Sequence, residues 1–224
     1  MRLACAAPVL SSAFAALLTL ATAAPAAPPR TVLLPTSAIP PLALNEILAG
    51  PARDWDGSGA FSSRDDEWIE VVNLGDATLD LAGFLVTDGD SIPRYAFAGA
   101  LAPHARQVVF GKQSYDWEKA HAYPAFGLSL GNSGDAALLW YVNGIDTTLV
   151  DSYAYKSHEA AADRAIGRQP DGTGVWALFD GLNPYTGATP PQGNGCNPTP
   201  NDVNLCATTP TRTASWGRVK TLYR

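Results

Sequence analysis

The sequence is poor in charge, in cysteine and in the residues that suit a helical fold. Only 16% of its 224 residues are Asp, Glu, Lys or Arg, while 46% are hydrophobic. One methionine and 18 prolines argue against a helical bundle, because proline removes a backbone donor and interrupts helices. There is no excess of positive charge. The formal net charge is −6, so counterion release gives no affinity for nucleic acid, and DNA or RNA is disfavoured as a partner. A P-loop and a dinucleotide fingerprint are both missing. The three histidines, His104, His121 and His158, stand singly, whereas a zinc site wants clustered ligands.

The chain opens with Arg2, an apolar run from Ala6 to Leu20, and small residues at Ala21 to Ala24. This is the pattern of a signal peptide over residues 1–24; the run is short for a membrane anchor, and none is expected in the mature chain. Residues 25–41 are proline-rich and read as an extended linker. Cleavage would leave two cysteines, Cys196 and Cys206. In an exported chain they read as one disulfide, worth roughly 3 kcal/mol by loop-closure arithmetic. The low charge fits an extracytoplasmic β-rich protein, secreted or held in the cell envelope.

From Leu42 onward, short alternating runs rich in β-branched and aromatic residues are broken by Gly, Asp and Asn. Strands are expected at Leu42–Leu48, Glu67–Leu74, 78–81, 84–87, 94–97 and 107–110. Ala136–Val142 is nearly continuously apolar, as for a strand buried on both faces. Asn143-Gly144 signals a hairpin to 147–155. A last hairpin is expected from 165–168 and 175–179. Ser114–Ala122 is the one passage with helical potential. The count of about nine short strands predicts an all-β antiparallel sandwich over residues 42–186. From residue 187 to 224 regular structure fades into a tail that carries the cysteines. Its end is basic, with Arg212, Arg218, Lys220 and Arg224.

The order NEIL, an acidic glycine-bearing loop, DEWIEVVNLG, LDLAGFLVTD, LGNSGDAALLW, VDSYAY and GRQPDGTGVW resembles a lamin tail domain of the exported bacterial type. The likeness runs from Leu42 to Asn183. It implies an immunoglobulin-like sandwich that acts as a binding or structural module rather than an enzyme, with an unidentified protein or envelope polymer as partner. The chain is expected to be a monomer. Leu74-Gly75 departs from the Asn-Pro or Ser-Gly types expected of the family.

The acidic loop carries the one ligand-like spacing. Asp54, Asp56 and Ser58 fall at positions 1, 3 and 5 of a twelve-residue calcium loop. Gly59 falls at 6, the Ala60 carbonyl at 7 and Asp65 at 12. Alternate carboxylates let oxygens converge on one hard cation, and glycine at position 6 permits the turn. Calcium bound by Asp54, Asp56, Ser58, Ala60 and Asp65 is the expectation; Asp66 or Glu67 could close the shell by another path.

Two competing readings remain. A metal-dependent hydrolase would use the acidic loop for a catalytic cation, yet no histidine lies near it. A carbohydrate-binding module would need exposed aromatics, with Trp55 and Trp117 the loop candidates and Trp68, Trp140 and Trp176 assigned to the core. Gly127-Leu128-Ser129-Leu130-Gly131 matches a nucleophile elbow in spelling but lacks the helix that must follow. Glu67 and Glu70 are three apart on one strand, so their side chains point to opposite faces and make no catalytic pair.

Overall fold

The chain enters the sandwich at Leu42, directly after Pro40 and Pro41, where proline can no longer be tolerated because every N–H is needed for a ladder. The computed structural model describes residues 39–206. The expected signal peptide 1–24, most of the linker 25–41 and the basic end from Arg212 to Arg224 lie outside the described residues.

Eleven strands and one helix follow. They are β1 (Leu42–Leu48), β2 (Trp68–Asn73), β3 (Leu79–Asp80), β4 (Phe84–Thr87), β5 (Pro93–Ala96), β6 (Ala100–Leu101), β7 (Arg106–Phe110), α1 (Gly111–Ala120), β8 (Gly134–Asn143), β9 (Asp146–Lys156), β10 (Ala165–Gln169) and β11 (Val175–Phe179). One sheet has the order β11-β10-β1-β2-β7, the other β5-β4-β8-β9, and β3 pairs β6 in a two-stranded ladder. All these pairings are antiparallel. The fold is an all-β, immunoglobulin-like sandwich. Its core lies between the two larger sheets, where Leu44, Ile47, Ile69 and Val71 meet Phe84, Val86, Ala137 and Leu139.

Several expectations need correction. Eleven strands stand where about nine were expected; the one with no counterpart among the expected segments is β6, which lies in a stretch read as loop and is only two residues long. The helix begins at Gly111, earlier than expected, where the Gln113 side chain accepts the Phe110 N–H and the backbone of residue 64 is too close for any side chain: a Cβ on Gly111 would fall 1.8 Å from the Arg64 carbonyl oxygen. β8 is not buried on both faces. Ala137 and Leu139 point into the core, while Leu138, Trp140 and Val142 line an outer face that is only half-buried. The hairpin after it turns on Gly144-Ile145, with Asn143 already paired to Asp146.

β1 carries a bulge between Leu44 and Glu46. A bulge gives one strand an extra residue and turns its neighbours. Leu44 and Ile47 therefore both face the core, while Glu46 sits opposite Glu70 on the outer face. Buried backbone groups near a bulge need partners. Asp151 accepts the Leu44 N–H at 3.1 Å, the Arg168 Nε–H donates to the Leu44 carbonyl at 3.1 Å, and Arg168 closes the set on both Asp151 oxygens.

The segment after residue 187 is not a loose tail within the described residues. Residues 196–206, closed by the Cys196–Cys206 disulfide, cross the outer face of the first sheet. Under them Leu48, Trp68, Ala165 and Phe179 form a second apolar cluster with Cys196. This cover explains why all seven residues of β1 and all six of β2 are buried.

Asn73 ends β2 and ties three turns together. Its Nδ2, with two hydrogens, lies within hydrogen-bond reach of the Ala77, Leu101 and Ala102 carbonyls, and its Oδ1 accepts the Gly75 N–H. Asn73→Ala strands these buried groups and is expected to cost about 2 kcal/mol in urea unfolding. A change within a few tenths would show that water replaces the amide freely.

Candidate functional site

The loop between β1 and β2 is anchored at its base by Asp163. That carboxylate accepts the Ala52 N–H and the Trp55 Nε1–H at 2.9 Å each and pairs with Arg53 at 3.0 Å. Gly59 stands at φ +90°, a left-handed conformation that side chains resist. With the base fixed and the turn made, Asp54, Asp56 and Asp66 converge so that one oxygen of each lies within 4.8 Å of the others.

Asp66 takes the place expected of Asp65. Residues 63–66 form a turn in which the Asp66 N–H bonds the Ser62 carbonyl, and this swings Asp66 inward. Asp65 faces away, in a crevice of about 330 Å³ shared with Arg64, Lys112, Tyr115 and Phe126. Ser58 meets Asp54 and Asp56 through its N–H, and its hydroxyl donates to the Ala60 carbonyl at 3.1 Å. Of the three expected carboxylates, the structure gathers Asp54 and Asp56 and adds Asp66.

The three carboxylates are partly engaged already. Asp66 is fully buried and accepts three backbone N–H bonds, from Trp55 and Asp56 on Oδ1 and from Ser62 on Oδ2. Asp54 takes the Ser58 and Gly59 N–H groups, one on each oxygen. Asp56 takes the Ser58 N–H on Oδ1. Burial works against the charged form of Asp56, but bonds from Ser58 and its neighbours hold its pKa below the ordinary value. Among the described residues, no ion pair involves any of the three. Each carboxylate oxygen offers two lone-pair directions, so Asp56 Oδ2 and one direction on several others stay free. Asp54, Asp56 and Asp66 are the residues that could hold a metal ion here.

Other candidates resolve into structural roles. Glu67 is buried at one end of the core, accepts the Leu130 N–H at 3.1 Å, and burial pushes it up to about 8. Glu70 lies on the opposite face beneath the disulfide-closed segment, as strand alternation requires. Ser129 has φ +57°, but β8 follows its glycine and no helix does. Asp151 is tied to Arg168, and His158 bonds the Pro191 carbonyl and stacks on Tyr185. His104 pairs with Asp76 and His121 bonds the Trp117 carbonyl, so neither reaches the acidic loop.

The tryptophans are redistributed. Trp55 is held edge-on against Trp68 with its Nε1–H on Asp163, which leaves it a poor platform. Trp117 stacks with His121 and Tyr123. Trp140, assigned to the core from sequence, stands on the outer face of the second sheet with its Nε1–H bonded to Thr87 Oγ1 at 3.2 Å. It lines a groove of about 340 Å³ with Leu85, Ser91, Pro93, Val142 and Thr147. Register extends this face to Leu138, Leu149, Ser152 and Ala154, with no charged side chain among them. Sequence reasoning missed it because the unbroken apolar run concealed which residues face outward.

Comparison with known proteins finds no matching family model, no matching curated protein and no matching solved structure.

Proposed function

We propose that the chain is an exported, non-enzymatic binding module of the lamin-tail type, with calcium stabilising its first interstrand loop. The observation that carries the binding role is the outer face of β4, β8 and β9. Strand pairing places Leu85, Leu138, Trp140, Val142 and Leu149 on one surface without charge. Exposed apolar patches of this kind mark interaction sites. The partner is a protein or an envelope polymer. Trp140→Ser with Leu149→Asp is expected to abolish retention on isolated envelope material while leaving the melting temperature within a few degrees. Equal retention of this folded variant would remove the face from partner binding.

Calcium would act structurally here, neutralising three clustered carboxylates and fixing a long loop. With a dissociation constant in the weak extracellular range of about 10⁻⁴–10⁻³ M, ~10 mM calcium adds about 1.4–2.7 kcal/mol of stability. The melting temperature is expected to rise accordingly, and the rise to vanish in Asp54→Ala/Asp56→Ala. Identical melting with and without calcium would leave the loop held by its backbone N–H bonds alone.

A second reading, a carbohydrate-binding module, is favoured by one feature. The Trp140 groove is flanked by the hydroxyls of Thr87, Ser91 and Thr147 and has no charge. Neutral glycans competing for the same envelope retention would select this reading over a protein partner.

A further inference from the structure

Beneath the disulfide-closed segment 196–206, two carboxyl groups face each other. Glu46 and Glu70 are cross-strand neighbours on β1 and β2, and both are fully buried. Among the described residues neither takes part in an ion pair. The segment binds to them. The Thr199 N–H donates to Glu46 Oε1 at 3.1 Å, and the Asn201 N–H donates to Glu70 Oε2 at 2.5 Å. Glu70 Oε1 accepts Asn45 Nδ2–H at 2.7 Å.

A proton count follows from Thr199. Its hydroxyl oxygen lies 2.7 Å from Glu46 Oε2 and 2.8 Å from Asn204 Oδ1. A hydroxyl has one hydrogen to give. The orientation of the Asn204 amide is fixed, because its Nδ2 donates to two carbonyls, that of Asn45 at 3.2 Å and that of Arg168 at 2.9 Å. Asn204 Oδ1 is therefore an acceptor and claims the Thr199 hydrogen. The 2.7 Å contact between Thr199 and Glu46 then needs a hydrogen from the other side.

We infer that Glu46 carries a proton in the folded chain, donates it to Thr199 Oγ1, and so forms the latch that holds segment 196–206 on the outer sheet. Burial pushes the Glu46 carboxyl up to about 8. The charged groups around the latch are few. Glu70 faces Glu46 from β2. Asp202 and Arg106 act on Glu70, and Arg106 pairs with Asp171, which accepts the Asn204 N–H at 2.9 Å. Among the described residues, no cation is paired with Glu46. Ionisation leaves two buried carboxylates facing each other and sets two acceptor oxygens in competition for one hydroxyl hydrogen. The segment then lifts from the sheet as a loop closed on itself by the disulfide, uncovering Leu48, Trp68 and Phe179.

Hydrogen exchange of the oxidised protein between pH 6 and pH 9, corrected for intrinsic rates, tests this. Protection of the Thr199, Asn201 and Asn204 amides is expected to fall about tenfold or more, while Ile69 and Val71 stay protected. Glu46→Gln keeps the hydrogen-bond pattern without a titratable proton, its Nε2 donating to Thr199 Oγ1. This variant is expected to hold the segment equally at both pH values, and Glu70→Gln to retain the pH dependence. A segment already loose at pH 6 in Glu46→Gln, or pH dependence in that variant equal to the parent's, overturns the latch. A measurement on the unaltered chain stands beside this. The Glu46 side-chain carboxyl carbon, followed by NMR, is expected to report a protonated acid at pH 6.5; a carboxylate signal there refutes the proton count.

Discussion

Arg94→Ala is expected to lose about 3–5 kcal/mol of stability, enough to leave much of the chain unfolded at 37 °C. Arg94 is only 2% exposed, yet its guanidinium spans three carboxylates. It donates to Asp88 Oδ2 through Nε at 3.2 Å and Nη2 at 2.8 Å, to Asp90 at 2.8 Å, and to Glu118 Oε1 at 3.0 Å. Glu118 in turn accepts the Phe126 and Gly127 N–H groups, and the Ser114 hydroxyl donates to the Arg94 carbonyl. The one helix and the loop that follows it are thus docked on β5 through Arg94. Removing the cation leaves Asp88 and Glu118 buried and uncompensated, which is far costlier than losing a surface pair. Arg94→Lys should recover only part of the loss, because one ammonium cannot span this fork. Urea unfolding of the three proteins decides the matter. A loss under 1 kcal/mol in the alanine variant would mean that water enters and solvates the freed carboxylates.

This network shows what the sequence makes legible. The alternation in LALNEIL and WIEVVN fixes two strands and their neighbours, because a period of two leaves few other structures open. Arg94 reads from sequence as one more strand residue. Its burial follows from Asp88, on a turn, and Glu118, on a helix, arriving at the same point. The acidic loop behaves likewise. Spacing identifies Asp54 and Asp56, since both lie on one local turn. It leaves the third carboxylate open between Asp65 and Asp66, because the turn at 63–66 decides which of the two faces inward, and a one-residue difference is below the resolution of a spacing argument. Glu46 is the hardest case. Alternation with a bulge places it on the outer face, where a carboxylate ordinarily meets water. Only the return of residues 196–206, some 150 positions later, buries it. Long-range cover of this sort leaves no local pattern in the strand it covers.

That cover sets the pH dependence of stability, and the expected direction is unusual. Burial raises the pKa of Glu46 to about 8 and of Glu70 to about 7, from an ordinary value of 4.5. In the unfolded chain both lose their protons near pH 4.5; in the folded chain they hold them to pH 7–8. The folded state therefore binds more protons across that window, and stability falls as pH rises through it. This is the reverse of a salt-bridged carboxylate, whose contribution is lost on acidification. Glu67 and Asp88, also raised by burial, act in the same sense. At 1.36 kcal/mol per pKa unit, one carboxyl moved this far could withdraw up to about 4–5 kcal/mol. Water entering as segment 196–206 lifts reduces the loss actually realised, and about 2–4 kcal/mol between pH 5 and pH 9 is expected. Urea unfolding at pH 5, 7 and 9 gives the test, with the disulfide intact throughout. Glu46→Gln should remove much of the slope without lowering stability at pH 7, since its amide can make the bonds that the neutral acid makes: Oε1 accepts the Thr199 N–H and Nε2 donates to Thr199 Oγ1. Stability that rises from pH 5 to pH 9 in the parent would show that these carboxyls are ionised in the fold, and that the outer sheet tolerates two negative charges side by side.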